Sequence, residues 1–203
     1  MASSPTSTSP IPAATPVTQV QPLLEALKAI AACLKADRVP FALAGSYAVY
    51  ARGGTHSLHD VDFVVPAEAI PAATSALQRC GFRVEQPPED WLIKAHRDGV
   101  CIDVIHYLSS GEVTAELLGR TDEMPVESVI MPVLSATDLL IGKIVALSEH
   151  SCDLEPVLAV ARSLREQIDV AAVRKASRGH PYAEAALFLI RKLEILPGLE
   201  DVR

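Results

Sequence analysis

The sequence predicts an α+β protein, in which a short mixed sheet flanked by helices is followed by a C-terminal helical lobe. Two observations carry this prediction. Between residues 41 and 133, short apolar runs alternate with Gly, Pro and turn signals, a pattern typical of strands. After residue 133, apolar residues recur only at helical spacing. We therefore expect a tail over residues 1–19, a mixed lobe over 20–133 and a helical lobe over 134–203.

The individual elements follow from periodicity and from punctuation by Gly and Pro. Apolar residues at helical spacing mark the helices, and short apolar runs that stop at Pro or Gly mark the strands. In chain order, helices are predicted at 22–36, 46–52, 67–80, 135–149, 154–165, 170–177 and 182–193, and strands at 41–44, 60–65, 82–85, 91–96, 100–107 and within 125–133.

Local signals support several of these boundaries. Asp98-Gly99 lies between two apolar runs and predicts a hairpin turn. Ser135, with Asp138 three residues later, resembles a capping box that opens a helix. Gly81 is expected to end the helix before it.

The N-terminal tail and the apolar content bear on location. Residues 1–19 are rich in Ser, Thr, Pro and Ala, and the first charged residue is Glu25. This segment lacks the basic start and apolar core of a signal peptide, and it lacks the arginines of a transit peptide. No run of 18 apolar residues occurs, so no membrane span is expected. The tail is predicted to be disordered and the protein cytoplasmic.

Cysteine and charge content narrow the function classes. The four cysteines, Cys33, Cys80, Cys101 and Cys152, form no CxxC pair, and we expect reduced thiols rather than a disulfide or a zinc site. The net charge of −7 argues against non-specific nucleic-acid binding. A basic cluster in the last quarter is either a local binding patch or a set of solvated helix faces. Its members are Arg162, Arg165, Arg174, Lys175, Arg178, Arg191 and Lys192.

Three acids indicate a metal site. Asp60 and Asp62 lie two apart on a predicted strand, so both carboxylates point to one face. Asp103 interrupts the apolar strand 100–105, and pairing of the two strands would bring all three acids to one surface. Adjacent carboxylates repel each other, and Mg²⁺ compensates them with oxygen coordination. The alternatives are a chance Asp-x-Asp and, for Asp103, a salt-bridged strand residue.

Gly45-Ser46 lies where a strand turns into a helix. Glycine allows the backbone to approach a ligand closely, and the helix start offers N–H groups to phosphate. The Ser46 hydroxyl would add a donor. The alternative is an ordinary tight turn with a Ser cap.

Together these residues resemble the polymerase-β-like nucleotidyltransferase superfamily. Its motif is Gly-Ser, a spacer, Asp-x-Asp and a later Asp, and here a thirteen-residue spacer runs from Tyr47 to His59. The resemblance implies a polymerase-β-like core over 20–133, a two-ion Mg²⁺ site on Asp60, Asp62 and Asp103, and an NTP substrate.

The helical lobe resembles the AbiEii-type branch, which includes the mycobacterial MenT toxins. A helix carrying Lys143 is followed by Asp153-Leu154, as in that branch. The resemblance implies that Lys143 contacts the nucleotide phosphates and that Asp153 belongs to the active site, with CTP the favoured nucleotide. A snorkelling surface lysine is the alternative for Lys143. The chain departs from the branch at His59, where Arg is usual, and at Ser151-Cys152.

The function hypothesis that follows is transfer of NMP from an NTP to an acceptor. The branch and the basic cluster favour a tRNA 3′ end, and hence a toxin with a cognate antitoxin. The alternatives are a small molecule such as an antibiotic, a protein hydroxyl, or a catalytically silent binding relative.

Overall fold

The computed structural model describes residues 20–54 and 60–199. The predicted tail, 1–19, and His59 lie outside the described residues. The helices are α1 (Val20–Ala36), α2 (Gly45–Ala51), α3 (Ile70–Arg79), α4 (Ala115–Leu118), α5 (Ala136–Val145), α6 (Glu155–Ser163), α7 (Val170–Ser177) and α8 (Pro181–Lys192). The strands are β1 (Ala42–Ala44), β2 (Asp62–Val64), β3 (Arg83–Glu85), β4 (Leu92–Arg97), β5 (Val100–Ile105), β6 (Tyr107–Leu108), β7 (Gly111–Glu112), β8 (Asp122–Val126) and β9 (Val129–Val133).

Seven of the strands form one mixed sheet in the order β3-β4-β5-β2-β1-β9-β8. The β2–β5 and β1–β9 pairs are parallel and the other pairs are antiparallel. The predicted hairpin between β4 and β5 is confirmed. Its two turn residues, Asp98 and Gly99, have φ values of 52° and 80°, the left-handed conformation of a two-residue hairpin turn.

Helices pack against the sheet and against one another. Helices α1 and α3 pack together, with α1 against β5 and β9 and α3 beside β3. Helix α2 packs against β1, β2 and α5, and α5 in turn contacts α6, α7 and α8. Buried residues from both predicted lobes form one continuous hydrophobic cluster, so the boundary at residue 133 separates strand-rich from helical chain without dividing the core.

Four features differ from the predicted elements. The helix expected at 67–80 opens with a 3₁₀ turn, Ala67–Ala69, before α3 begins. Helix α5 ends at Val145 rather than near 149, because Ser148 and Ser151 exchange two backbone hydrogen bonds that turn the chain out of the helix. Helix α4 and the β6–β7 hairpin were not predicted.

Arg52 ties the end of α2 to the rest of the fold. Its side chain is only 6% exposed and donates to the carbonyl of Leu134 (2.5 Å) and to that of Val133 (3.0 Å). It also pairs with Asp122 (2.7 Å), and Gln167 donates to the Arg52 carbonyl (2.9 Å). One buried guanidinium therefore joins α2, the outer strands and the helical lobe.

The expectation of four reduced cysteines is wrong for two of them. Cys33 and Cys80 form a disulfide, and Cys101 and Cys152 are free and exposed. The two bonded residues are 47 positions apart, so their spacing gives no signal. Packing of α1 beside α3 brings their Cα atoms to 6.4 Å, within bridging range. Separately, no helix of the described chain is both long and apolar enough to cross a membrane.

The disulfide predicts a specific thiol count. Of the four cysteines, we expect two to react with a thiol reagent in denaturant without reductant, and all four after reduction. A Cys101→Ser/Cys152→Ser control should show no reactive thiol until it is reduced. Four reactive thiols in the unreduced wild-type protein would exclude the bridge.

Candidate active site

A single row of residues crosses five strands on one face of the sheet. Ala44 is opposite Asp62, Asp62 is beside Asp103, Asp103 is opposite Lys94, and Lys94 is opposite Glu85. Partners in register point to the same face, so these side chains are neighbours. We call these five residues the acid row. The predicted pairing of the two Asp-bearing strands is thus confirmed.

The opposite face of the same strands supplies the core. Phe63, Val104 and Ile93 are aligned in the next register positions, and all three are buried. Alternation of side chains along a strand then forces Asp62 and Asp103 to the other side. The apolar pattern that buries the sheet against helices is therefore the cause of the carboxylate pair.

Gly45 brings the backbone into contact with Asp62. Its φ is +60°, and a Cβ built on it would lie 1.9 Å from Asp62 Oδ2 and 2.8 Å from Asp62 Cγ. No other residue has both the backbone freedom and the space for this position. The close approach of Gly45 to a ligand stays a prediction, and the group that its backbone approaches in this structure is the carboxylate of Asp62.

Ser46 holds the segment that carries Asp60. The Ser46 hydroxyl donates a hydrogen bond of 3.1 Å to the backbone carbonyl of Asp60. The bond joins the start of α2 to the chain entering β2 and sets where the exposed Asp60 lies. The expected role of Ser46 as a phosphate donor stays a prediction, since its hydrogen is used here by a carbonyl.

The electrostatics of the site centre on Asp62. Burial, with the nearby carboxylates of Asp103 and Asp60, raises the pKa of Asp62 to about 6. Lys143 and Lys94 act in the opposite direction. A carboxylate held at such a pKa lacks enough positive charge around it, a condition common at functional sites.

Lys94 is a site residue that was not predicted. Its ammonium donates to Asp103 Oδ1 at 2.9 Å, and this hydrogen bond raises the pKa of Lys94. A signal was available: Lys94 lies four residues before Asp98, and Asp103 four after Gly99, so a two-residue hairpin pairs them. The alternative of a salt-bridged Asp103 is thus realised, and it places that carboxylate beside Asp62.

The two predicted residues of the helical part are placed differently. Lys143, on the half-buried side of α5, lies close enough to Asp62 to lower its pKa. Asp153 is exposed and accepts a hydrogen bond of 3.0 Å from the backbone N–H of Glu155 at the start of α6. That contact stabilises the helix start, and a role for Asp153 in the site stays a prediction.

The residues fit a magnesium ion that arrives with a substrate. Within residues 20–54 and 60–199, no three His, Cys, Asp or Glu side chains converge closely enough to hold a metal ion by themselves. Mg²⁺ usually takes one or two protein carboxylates and completes its shell with water and substrate phosphates. The neighbours Asp62 and Asp103 supply two carboxylates, and the raised pKa of Asp62 shows that a further positive charge is favourable there. The predicted three-acid ligand set with Asp60 stays a prediction.

Comparisons with known proteins agree with this fold. Residues 18–199 match the model of a family described as uncharacterised nucleotidyltransferase. The antibiotic-resistance factor ANT(2'')-Ia is 15% identical with a TM-score of 0.53, over 86% of this chain and 94% of that one. The protein in a crystal structure of ANT(2'')-Ia in complex with adenylyl-2''-tobramycin is 15% identical with a TM-score of 0.53, over 85% of this chain and 99% of that one.

A third similar structure is an antigenic nucleotidyltransferase-like protein from Paracoccidioides brasiliensis. It is 12% identical with a TM-score of 0.53, over 90% of this chain and 92% of that one. At these identities the likeness concerns the fold, and it confirms the predicted mixed sheet flanked by helices. A comparison with curated protein sequences gives no match.

The contact between Gly45 and Asp62 predicts a graded cost of substitution. Gly45→Ala should lower the free energy of unfolding by at least about 1 kcal/mol more than Gly81→Ala. Both glycines have positive φ, but a Cβ on Gly81 meets nothing within 4 Å. Urea unfolding measures both variants, and equal losses would show that the carboxylate contact is absent.

The pKa of Asp62 predicts a pH-dependent gain from Asp62→Asn. The folded protein holds this proton more tightly than the unfolded chain, so wild-type stability falls as pH rises from about 3.8 to about 6. In EDTA at pH 7.5, Asp62→Asn should therefore be more stable than wild type, by about 1–3 kcal/mol, and near pH 4 the gain should vanish. Asp98→Asn, on the exposed hairpin turn, is the control that should change little at either pH. A gain independent of pH would argue against the raised pKa.

Proposed function

Because the chain belongs to the nucleotidyltransferase family whose model matches residues 18–199, we propose that it transfers a nucleotidyl group from a magnesium-bound NTP to a hydroxyl acceptor. The acceptor hydroxyl loses its proton to solvent as its oxygen bonds to the α-phosphorus, and the bond from that phosphorus to pyrophosphate breaks. The observation that carries the proposal is the acid row, in which Asp62 lies beside Asp103 and against the backbone of Gly45.

Each residue of the site has a part in this reaction. Asp62 and Asp103 would hold Mg²⁺, and Asp60 would join them from its exposed position as the third ligand. The ion supplies charge neutralisation at the reacting phosphate and the leaving pyrophosphate. Lys94 orients Asp103 by its 2.9 Å hydrogen bond to Oδ1, which leaves the second carboxylate oxygen of Asp103 available as a ligand.

Lys143 is proposed to bind the triphosphate. It lies on α5, which packs against α2, the helix that begins at Gly45, and its charge lowers the pKa of Asp62. An ammonium is a compact charge suited to phosphate oxygens. In the absence of nucleotide it offsets the charge of Asp62, which accounts for its position even before substrate binds.

The acceptor is proposed to be a small molecule. The similar structures include an antibiotic-resistance factor and its complex with an adenylylated antibiotic, tobramycin. They make an antibiotic-like small molecule the leading candidate, with ATP the nucleotide to try first. The CTP preference implied by the AbiEii-type branch is the alternative for the base.

A tRNA 3′ end is the second candidate, and with it a cytoplasmic toxin that has a cognate antitoxin. The observation that favours it is the exposure of Lys175 on α7 and of Arg178 directly after that helix. Arg162 and Lys192 are exposed as well. Two other members make contacts within the chain: Arg174 donates to the carbonyl of Gly198, and the exposed Arg165 pairs with Glu166. These contacts offset part of the charge of the cluster, which favours the small-molecule acceptor.

The central test is metal-dependent release of pyrophosphate. Purified protein is incubated with each labelled NTP, with and without Mg²⁺, in the presence of an antibiotic panel or total tRNA. We expect transfer to one acceptor class, and a loss of at least about 100-fold in Asp62→Asn and Asp103→Asn, because electrostatic stabilisation of the transition state is removed. Absence of pyrophosphate release with every NTP and acceptor would favour a silent binding relative.

Lys143 is tested by binding alone. By calorimetry, Lys143→Ala should weaken binding of the Mg²⁺-bound NTP by about 1.5–3 kcal/mol, the scale of a hydrogen bond to a charged group. Lys28→Ala is the matched control, since Lys28 pairs with Glu25 on α1, away from the acid row. Unchanged affinity in Lys143→Ala would make Lys143 a structural counter-charge of Asp62 only.

A further inference from the structure

A cleft of about 760 Å³ is lined by Ile105, which lies two residues beyond Asp103 on β5. This size is typical of sites that enclose a small organic ligand. We call it the aromatic cleft, and the lining residues used below are Asp90, Trp91, Ile105, His106, Tyr107 and Glu112.

The register of the strands fixes how far the aromatic cleft lies from the acids. Ile105 follows Asp103 by two residues on β5, so both side chains point to the same face. At the strand rise per residue, their Cα atoms are about 7 Å apart. The backbone N–H groups of His106 and Tyr107 both donate to the carbonyl of Trp91, at 3.0 and 3.3 Å, which joins the two sides of the cleft beyond Ile105. A ligand of moderate size in the cleft could therefore extend one group to the acid row.

Two large aromatic side chains are exposed at this position. Trp91 is 41% and Tyr107 51% exposed, so neither ring is used up in the core. Paired aromatic faces at a concave site bind the apolar faces of rings, and they attract organic cations. Their exposure beside the reacting groups indicates a surface that a ligand completes.

The charge of the aromatic cleft selects the kind of ligand. Asp90 and Glu112 supply two exposed carboxylates. Among the described residues that line the cleft, none is Lys or Arg. A polyanion such as an RNA end would be repelled here, because phosphate binding needs Lys and Arg. An ammonium would be attracted both by the carboxylates and by the aromatic rings.

We propose that the aromatic cleft is the acceptor subsite and that its occupant is a small organic cation that carries a hydroxyl group. The cation lies between the aromatic rings and the carboxylates of Asp90 and Glu112, and the hydroxyl points along β5 towards Asp103. The proposal rests on the proposed function, since a subsite for an acceptor requires a transfer reaction beside it.

The single tryptophan of the chain makes the aromatic cleft directly observable. Trp91 is that residue, so its fluorescence reports on this cleft alone. The probe is neamine, a small hydroxylated polyamine, and its neutral counterpart is per-N-acetylated neamine. We expect neamine to change the Trp91 emission and to bind at least tenfold more tightly than the acetylated form. Equal binding of the two compounds, or binding of neither, would overturn the proposal.

Matched charge variants locate the interaction. Asp90→Asn/Glu112→Gln should weaken neamine binding by roughly tenfold, as expected for the loss of two exposed charge contacts. Asp98→Asn/Glu116→Gln makes the same change in charge at exposed acids outside the cleft, and it should leave the affinity unchanged. If neamine affinity fell equally in both double variants, the effect would come from the net charge of the protein, and a specific subsite would be contradicted. Quenching of Trp91 by a tRNA 3′-end oligonucleotide but not by neamine would assign the cleft to RNA.

Neamine binding and pyrophosphate release are measured separately, so the subsite and the transferase activity can each fail on their own. Binding is measured without nucleotide and repeated in Asp62→Asn, so it does not depend on turnover. Neamine binding without any pyrophosphate release would contradict the transferase and leave a cation-binding cleft. Pyrophosphate release with another acceptor, and no neamine binding, would contradict only the subsite.

Discussion

The contact between the Asp62 carboxylate and the backbone of Gly45 is the constraint around which the site is organised. It requires that β1 end where α2 begins, that β2 pair with β1 in the observed register, and that residue 45 have no side chain. Burial of Asp62 in this position makes its charge costly, and the chain offsets that cost only in part through Lys143 and Lys94. A magnesium-bound substrate would neutralise the remaining negative charge, so the residue that the fold positions most tightly is also the proposed metal ligand.

Arg52 fixes the other end of the short helix that starts at Gly45. A guanidinium is expensive to bury unless its donors find acceptors, and here it reaches two carbonyls, the Asp122 carboxylate and the Gln167 amide oxygen. Helix α2 has only seven residues, so a displacement of Arg52 would also shift the backbone at Gly45. The outer strands and the 3₁₀ turn at Arg165–Gln167 are thereby coupled to the position of Asp62.

The sequence was most informative where a local signal has one structural outcome. The Asp98-Gly99 turn and the alternation around Asp103 predicted the hairpin and the shared face of the acids, and Ser135 caps α5 together with Asp138 as expected. Features that depend on packing between distant segments were not predictable in this way. The Cys33–Cys80 bridge arises from the packing of α1 on α3. The aromatic cleft arises where the carbonyl of Trp91, just before β4, accepts hydrogen bonds from the backbone N–H groups of His106 and Tyr107. The pairing of Lys94 with Asp103 was predictable from the sequence, although it was not predicted. Counting residues outward from the Asp98-Gly99 turn places the two opposite each other.

The tight turn between β4 and β5 also restricts how the chain can change in length. Side chains on a strand alternate with a period of two, so one inserted residue that slipped the register would move Lys94 off the face that carries Asp103. The polar ammonium would then face the apolar layer under α1 and α3, and Asp103 would lose its only hydrogen-bonded lysine among the described residues. Homologous chains that keep the acid pair should therefore vary in residue type at this turn but not in the number of residues, whereas changes in length would accumulate in connections that do not join two members of the acid row.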